Sequence, residues 1–245
     1  MKLQLQIILM FLSLTNFAQQ KKYYTNDNKI IQNEIEYKKN KNESLKRLES
    51  VVAGMKLFEE FELKYQNNDS LVYSYLWHFT ENPLATEKEI KRKKALIGKV
   101  YPFEKEQTIE GKSITLNDLR GKPTLINLWF TNCSPCIEEI PILNKIMNDN
   151  KDRFNFVAIT FDKKEKVAKL LSKRNFDFTQ IVNSTKLTKK LGFEGYPVNI
   201  FLDENGIIKE ITSNVPIIEN EKGEQVMSDG KEFVKILEKY LVKKT

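Results

Sequence analysis

The stretch Gly121-Lys122-Pro123-Thr124-Leu125-Ile126-Asn127-Leu128-Trp129-Phe130-Thr131-Asn132-Cys133-Ser134-Pro135-Cys136 decides the fold. Pro123 to Phe130 is an apolar run bounded by turn residues, which predicts a buried central strand. From about Pro135 to Asn150, Ile137, Ile140, Leu143, Ile146 and Met147 share one helical face, and Pro141 among them predicts a kink. Cys133 therefore falls where a strand gives way to a helix. Its sulfur would face the unpaired N–H groups of the first turn, at the positive end of the helix dipole. That setting favours thiolate over thiol. Cys136, three residues on, is more shielded and within reach of a mixed disulfide formed by Cys133.

These are the only two cysteines in 245 residues, and the one histidine, His78, lies far upstream. A zinc site wants four ligands, and a Cys/His nucleophile pair would depend on that same histidine. With no third thiol, the pair bonds either to itself or to a partner, which is the arithmetic of a redox couple. As a structural staple it would contribute little, because the loop it closes is so short. Soft thiolates also suit Cu(I), so a non-enzymatic copper carrier is a rival from another class.

Outward from this segment the chain alternates strand and helix. Ser113–Leu116, Phe154–Phe161 and Phe178–Val182 read as strands, with helices at Lys164–Arg174 and Thr185–Leu191. Val198–Leu202 and Gly206–Ile211 form a hairpin across Asp203-Glu204-Asn205, and Glu232–Leu241 closes as an amphipathic helix. The expected class is α/β, a mixed central sheet covered on both faces. Residues 20–97 have another texture, nearly without glycine. There Asn28–Leu48 reads as a helix. Phe61, Leu63 and Tyr65, then Leu71, Tyr73, Tyr75, Trp77 and Phe79, alternate as a hairpin across Gln66–Ser70. Thr86 is the expected cap of a short charged helix reaching Leu96. The expected reading of this small α+β region is a structural appendage, with a client- or membrane-protein-binding module as the rival, and His78 is read as a plain strand residue.

At the start, Lys2 and the mostly apolar Leu3–Phe17, broken by Gln4 and Gln6, precede Ala18, which reads as a signal peptide over residues 1–19. The apolar part is shorter than the roughly 20 residues of a spanning helix, and no cysteine lies there to take a lipid. Asn16 is a poor match to the small residue wanted two positions before Ala18. The formal charge of +7 is spread through mixed Lys/Glu segments without interleaved base-stacking aromatics, which argues against nucleic acid as a partner.

The segment Gly121–Pro141, the lead-in Gly98-Lys99-Val100-Tyr101-Pro102-Phe103 and the triplet Gly195-Tyr196-Pro197 together resemble the TlpA/ResA-like thioredoxin family. The likeness extends over about residues 98 to 243. It implies a thioredoxin-like domain at 98–245, preceded by the N-terminal region 20–97. It further implies an exported, periplasmic enzyme: a thiol–disulfide oxidoreductase with Cys133 and Cys136 catalytic and no cofactor beyond that redox-active disulfide. By the same resemblance Pro197 is a cis-proline that receives an extended substrate, and Tyr196 and Trp129 join it as candidate substrate-binding residues. For Trp129 the favoured reading is core packing beside the site. Glu139 stands where ResA-like reductases handle the proton of the resolving thiol, and Asn127 where cytosolic thioredoxins carry a buried aspartate. The expected partners are disulfide-bearing exported clients, apocytochrome c among them, and a membrane thiol carrier as electron donor. Two departures bear on partner choice: Asn132 replaces the common tryptophan, and Tyr196 a common threonine. Ser134-Pro135 lacks the histidine of strongly oxidising relatives, which points to a reductant or an enzyme of intermediate potential. A peroxide reductase on the same fold is disfavoured, since Thr131 is at the wrong offset for Thr-x-x-Cys.

Overall fold

The computed structural model describes residues 20–26 and 30–241. The signal-peptide reading of residues 1–19 lies outside them. The chain divides into two compact units between Lys88 and Glu89.

The first unit is a four-stranded sheet of order β2-β1-β4-β3, built from β1 (Lys21–Thr25), β2 (Ile31–Asn33), β3 (Lys56–Gln66) and β4 (Ser70–Thr80), with the helix α1 (Glu34–Val51). β3 and β4 form the expected antiparallel hairpin, while β1 runs parallel to β4. The helix begins at Glu34 rather than at Asn28. Ile31–Asn33 are drawn instead into pairing with β1, and Asn33 then caps the helix. Its side chain accepts from the Ile35 and Glu36 N–H groups, and the Glu36 carboxylate accepts from the Asn33 N–H at 2.9 Å. Tyr37 is the keystone. It stacks on Tyr24 at 4.1 Å, meets Tyr75 edge-on at 4.9 Å, and its hydroxyl accepts from the Trp77 indole while donating to Glu59. His78 sits on β4 beside Glu60, as a strand residue.

The helix α2 (Pro83–Leu96) spans the division between the units. Asn82, not Thr86, supplies the capping oxygen, accepting from the Ala85 N–H at 3.1 Å. Pro83 takes the first helical position, where its missing N–H costs nothing. Thr86 is thereby placed inside the helix, its hydroxyl donating to the Asn82 carbonyl.

The second unit carries a five-stranded sheet of order β11-β10-β7-β8-β9. The hairpin β5 (Lys105–Gln107) and β6 (Ser113–Thr115) precedes the central strand β7 (Thr124–Leu128). Then follow α3 (Ser134–Asn150), β8 (Asn155–Ile159), α4 (Lys164–Leu171), β9 (Thr179–Ile181), α5 (Thr185–Leu191), β10 (Val198–Leu202) and β11 (Ile208–Thr212). β7, β8 and β9 are parallel, and β10 is antiparallel to both β7 and β11. This is the mixed sheet of a thioredoxin-like fold. A small hairpin, β12 (Ile217–Glu219) with β13 (Gln225–Met227), has no counterpart in the sequence pattern, and α6 (Lys231–Lys239) closes the unit.

Alternation along β7 builds a core on each face. Leu125 and Trp129 face the cluster that holds Ile140 and Leu143 of α3, Val167 of α4 and Phe233 and Leu237 of α6. Ile126 and Leu128 face the cluster of Tyr101, Phe103, Leu187 and Leu191. Asn127, between Leu125 and Trp129, is therefore aimed at α3 although it is polar. Gly230, with φ +75°, lets the chain enter α6 hard against Ile142 and Ile146 of α3, where any Cβ would collide.

Candidate active site

At the carboxyl end of β7 the chain turns through Trp129–Asn132 into α3. Cys133 is the N-cap of that helix, and its sulfur accepts from the Cys136 N–H at 3.2 Å. Pro135 lies in the first turn, where an N–H would have no partner in any case. The two cysteines form a disulfide, their Cα atoms 5.2 Å apart, within the ordinary range. Both are buried, while Asn132 and Ser134 on either side of Cys133 are exposed. The oxidised pair thus presents a narrow edge, framed by two small polar side chains.

The turn before Cys133 is clamped by a residue that the sequence pattern does not single out. The Asp162 carboxylate accepts from both the N–H and the hydroxyl of Thr131, each at 2.8 Å, and takes the Lys166 ammonium at 2.9 Å. Burial opposes its ionisation, but the Thr131 bonds and the Lys166 charge outweigh this and hold the carboxyl below its usual range. Its one sequence signal is an acid three residues past a buried strand, at the same sheet end as the cysteines.

Glu139 lies one turn beyond Cys136 and on the same face of α3, since residues three apart are neighbours on a helix. Glu138 is exposed, but Glu139 is fully buried. One carboxylate oxygen accepts from the Asn127 amide at 2.7 Å and the other from the Val215 N–H at 2.9 Å. The Asn127 amide is shared with the Asn199 oxygen at 2.9 Å, and Asn199 in turn donates to the Ser213 carbonyl at 2.7 Å. Asn199 stands directly opposite Asn127 across the β7–β10 pair. Burial pushes the Glu139 carboxyl up to about 7, against the hydrogen bonds from Val215, Asn127 and Asn199. A carboxyl so held exchanges its proton near neutral pH. Asn199 escaped the sequence reading because its partner lies 72 residues away.

The Tyr196–Pro197 peptide is cis, and Pro197 is buried at the start of β10. Tyr196 makes edge contacts with Phe130 at 5.6 Å and Phe161 at 5.8 Å, and these two phenylalanines stack on each other at 5.6 Å. Phe161, Thr188, Lys189, Phe193 and Tyr196 border an open groove of about 440 Å³. Trp129 does not join this surface. It is 0% exposed and packs edge-on against Phe176 at 5.4 Å. Its burial places it among the core side chains behind the site. Among the described residues no His, Cys, Asp or Glu group is arranged to hold a metal ion.

A strand-to-helix dithiol on this sheet, with a buried acid behind it, defines a thioredoxin-like oxidoreductase. The AhpC/TSA family matches residues 97–211. A thiol-disulfide oxidoreductase ResA of Bacillus cereus is 32% identical over 123 residues, covering 49% of this chain and 70% of the relative. The thiol:disulfide interchange protein DsbE of Pseudomonas fluorescens biotype C is 32% identical over 123 residues, covering 47% and 65%. The thioredoxin-like protein YneN of Bacillus subtilis is 29% identical over 109 residues, and the chain spans 64% of its length. Among solved structures, a thioredoxin domain of a thiol-disulfide oxidoreductase from Bacteroides vulgatus aligns at a TM-score of 0.48 and 24% identity, over 58% of this chain and 97% of that one. The chain belongs with the ResA-like thiol-disulfide oxidoreductases of thioredoxin-like fold.

Proposed function

We propose that this protein is exported and reduces disulfides in exported client proteins, apocytochrome c among them, through Cys133 and Cys136. The Cys133 thiolate attacks one sulfur of the client disulfide, forming a mixed disulfide and releasing the first client thiolate, which takes up a proton. Cys136 passes its proton to the Glu139 carboxylate and attacks Cys133. The Cys133–Cys136 disulfide forms and the second client thiol leaves. Two electrons and two protons have then passed to the client. A membrane thiol carrier returns them, reducing the pair and becoming oxidised itself. Pro197 and the Tyr196 backbone receive the client chain beside the sulfurs.

The observation that carries this reading is the buried Glu139, bonded by Asn127 and Val215 one turn behind Cys136. It supplies a proton acceptor at the resolving thiol, where solvent has no access. The reducing direction is supported by Ser134-Pro135, which adds no cation to stabilise the Cys133 thiolate beyond the helix terminus itself. The test is the reduction potential of the pair in defined thiol buffers. A value at or below about −220 mV fits a reductant; one near about −120 mV makes the protein a disulfide donor instead. Export over residues 1–19 is checked by sequencing the amino terminus of the mature protein, which would then begin near Gln19.

A further inference from the structure

α4 and the turn after it carry six cations between residues 163 and 174, against one acid, Glu165. Lys166, Lys169, Leu170 and Lys173 recur at the spacing of one helical face, while Val167 turns into the core. With Arg174 they form one wall of an open groove of about 350 Å³ whose other wall is Thr131 and Asn132. The groove therefore ends at the residue next to Cys133.

Lys166 is neutralised by Asp162. Among the described residues, no ion pair involves Lys169, Lys173 or Arg174, which leaves three exposed cations facing the groove. On two other helices an exposed lysine is answered by an acid at helical spacing, in the pairs Glu34–Lys38 and Lys145–Asp149. Here Asp162 is taken up by Lys166 and Thr131, and Glu165 does not line the groove. Like charges gathered on one face repel, and that cost is relieved when an anionic partner enters.

We infer that this groove binds an acidic segment flanking the disulfide of the client, so that α4 selects substrates by charge. The inference rests on the disulfide-reductase reading above and names its substrate class. A polypeptide is the favoured occupant because whatever presents a sulfur to Cys133 must lie against Asn132. A lipid surface covering the same wall would hinder a client's approach to the cysteines. Three exposed pairs of ordinary strength amount together to about a tenfold preference at low salt.

The test uses the full chain and two synthetic peptides, each with one internal disulfide. One carries Asp-Glu-Asp beside a cysteine, the other Asn-Gln-Asn. The readout is the ratio of their second-order reduction rates. The expected ratio is about 10 at low ionic strength and close to 1 in 1 M salt, where the screening length falls to about 3 Å. In K169Q/K173Q/R174Q the ratio is expected near 1 at all salt concentrations. A wild-type ratio of 1 at low salt overturns the inference, and this holds even where the triple variant does not fold. Sedimentation with phosphatidylglycerol vesicles is run alongside. Vesicle binding lost in the variant, with a peptide ratio of 1, would make the face a membrane contact and overturn the inference too. Failure to reduce either peptide would instead strike at the reductase reading itself.

Discussion

The two units solve the burial problem differently. In the second, β7 is buried on both faces, and Leu125, Ile126 and Leu128 are all 0% exposed. In the first, the described side chains that reach comparable burial are Tyr24 and Tyr37, while Phe61, Leu63, Tyr65 and Phe79 of the hairpin stay exposed. A sheet covered by helices on both sides holds its strand ends rigid, and the dithiol is set at such an end. A sheet half-covered by one helix rests on a few aromatic contacts. The difference teaches that the dithiol stands at the end of the most enclosed strand.

The sharpest break in that comparison is at the cysteines. Cys133→Ser is expected to abolish disulfide exchange, and Cys136→Ser to accumulate mixed disulfides that survive non-reducing electrophoresis. Neither should alter the amide-exchange protection of β1–β4.

Core truncation probes the two solutions directly. Leu143→Ala leaves a cavity in the fully enclosed α3 face and is expected to cost about 3 kcal/mol in urea unfolding. Tyr37→Ala is expected to cost a similar amount, but its effect falls on a unit with little else buried. Hydrogen exchange should then show β1–β4 losing protection first. Equal loss across both sheets would remove the contrast.

Glu139 sharpens the comparison through pH. Its folded-state carboxyl sits near 7, above the ordinary value of 4.5. The folded state therefore holds a proton that the unfolded state has released between those limits, and stability falls as pH rises from about 4.5 to 7. The full difference corresponds to about 3 kcal/mol. Glu139→Gln should flatten this slope in urea titrations. It should also slow turnover about 100-fold and remove the neutral-pH limb of the rate profile. An unchanged profile would leave Glu139 a packing residue.

The smallest effect is expected at the cap of α1. Asn33→Ala removes the acceptor for two N–H groups and should cost about 1 kcal/mol, with activity untouched.

Much of the second unit was legible in the sequence. α5 at Thr185–Leu191 and β10 at Val198–Leu202 fall at their expected bounds, and β7 and α3 lie within a residue or two of theirs. Their signals are local, an apolar run or a helical stripe closed by turn residues. The β3–β4 hairpin was legible for the same reason. Three-residue strands such as β2 and β12 carry too few alternations to show a period. Ile31–Asn33 took a strand because β1 offered hydrogen-bond partners, which no window around Asn28 contains.

The sequence by itself determined the strand-to-helix placement of Cys133 and Cys136, because chain neighbours and helical spacing set both. It also named Glu139 and Pro197 through the family resemblance. Only the tertiary structure decided that Trp129 is sealed in the core, that Asp162 clamps Thr131, and that Asn199 joins Asn127 at the buried acid. Only it gathered the lysines of α4 against Asn132. Each of these depends on which strands lie side by side and which helix face covers them, and contacts across a sheet leave no period in the chain that makes them.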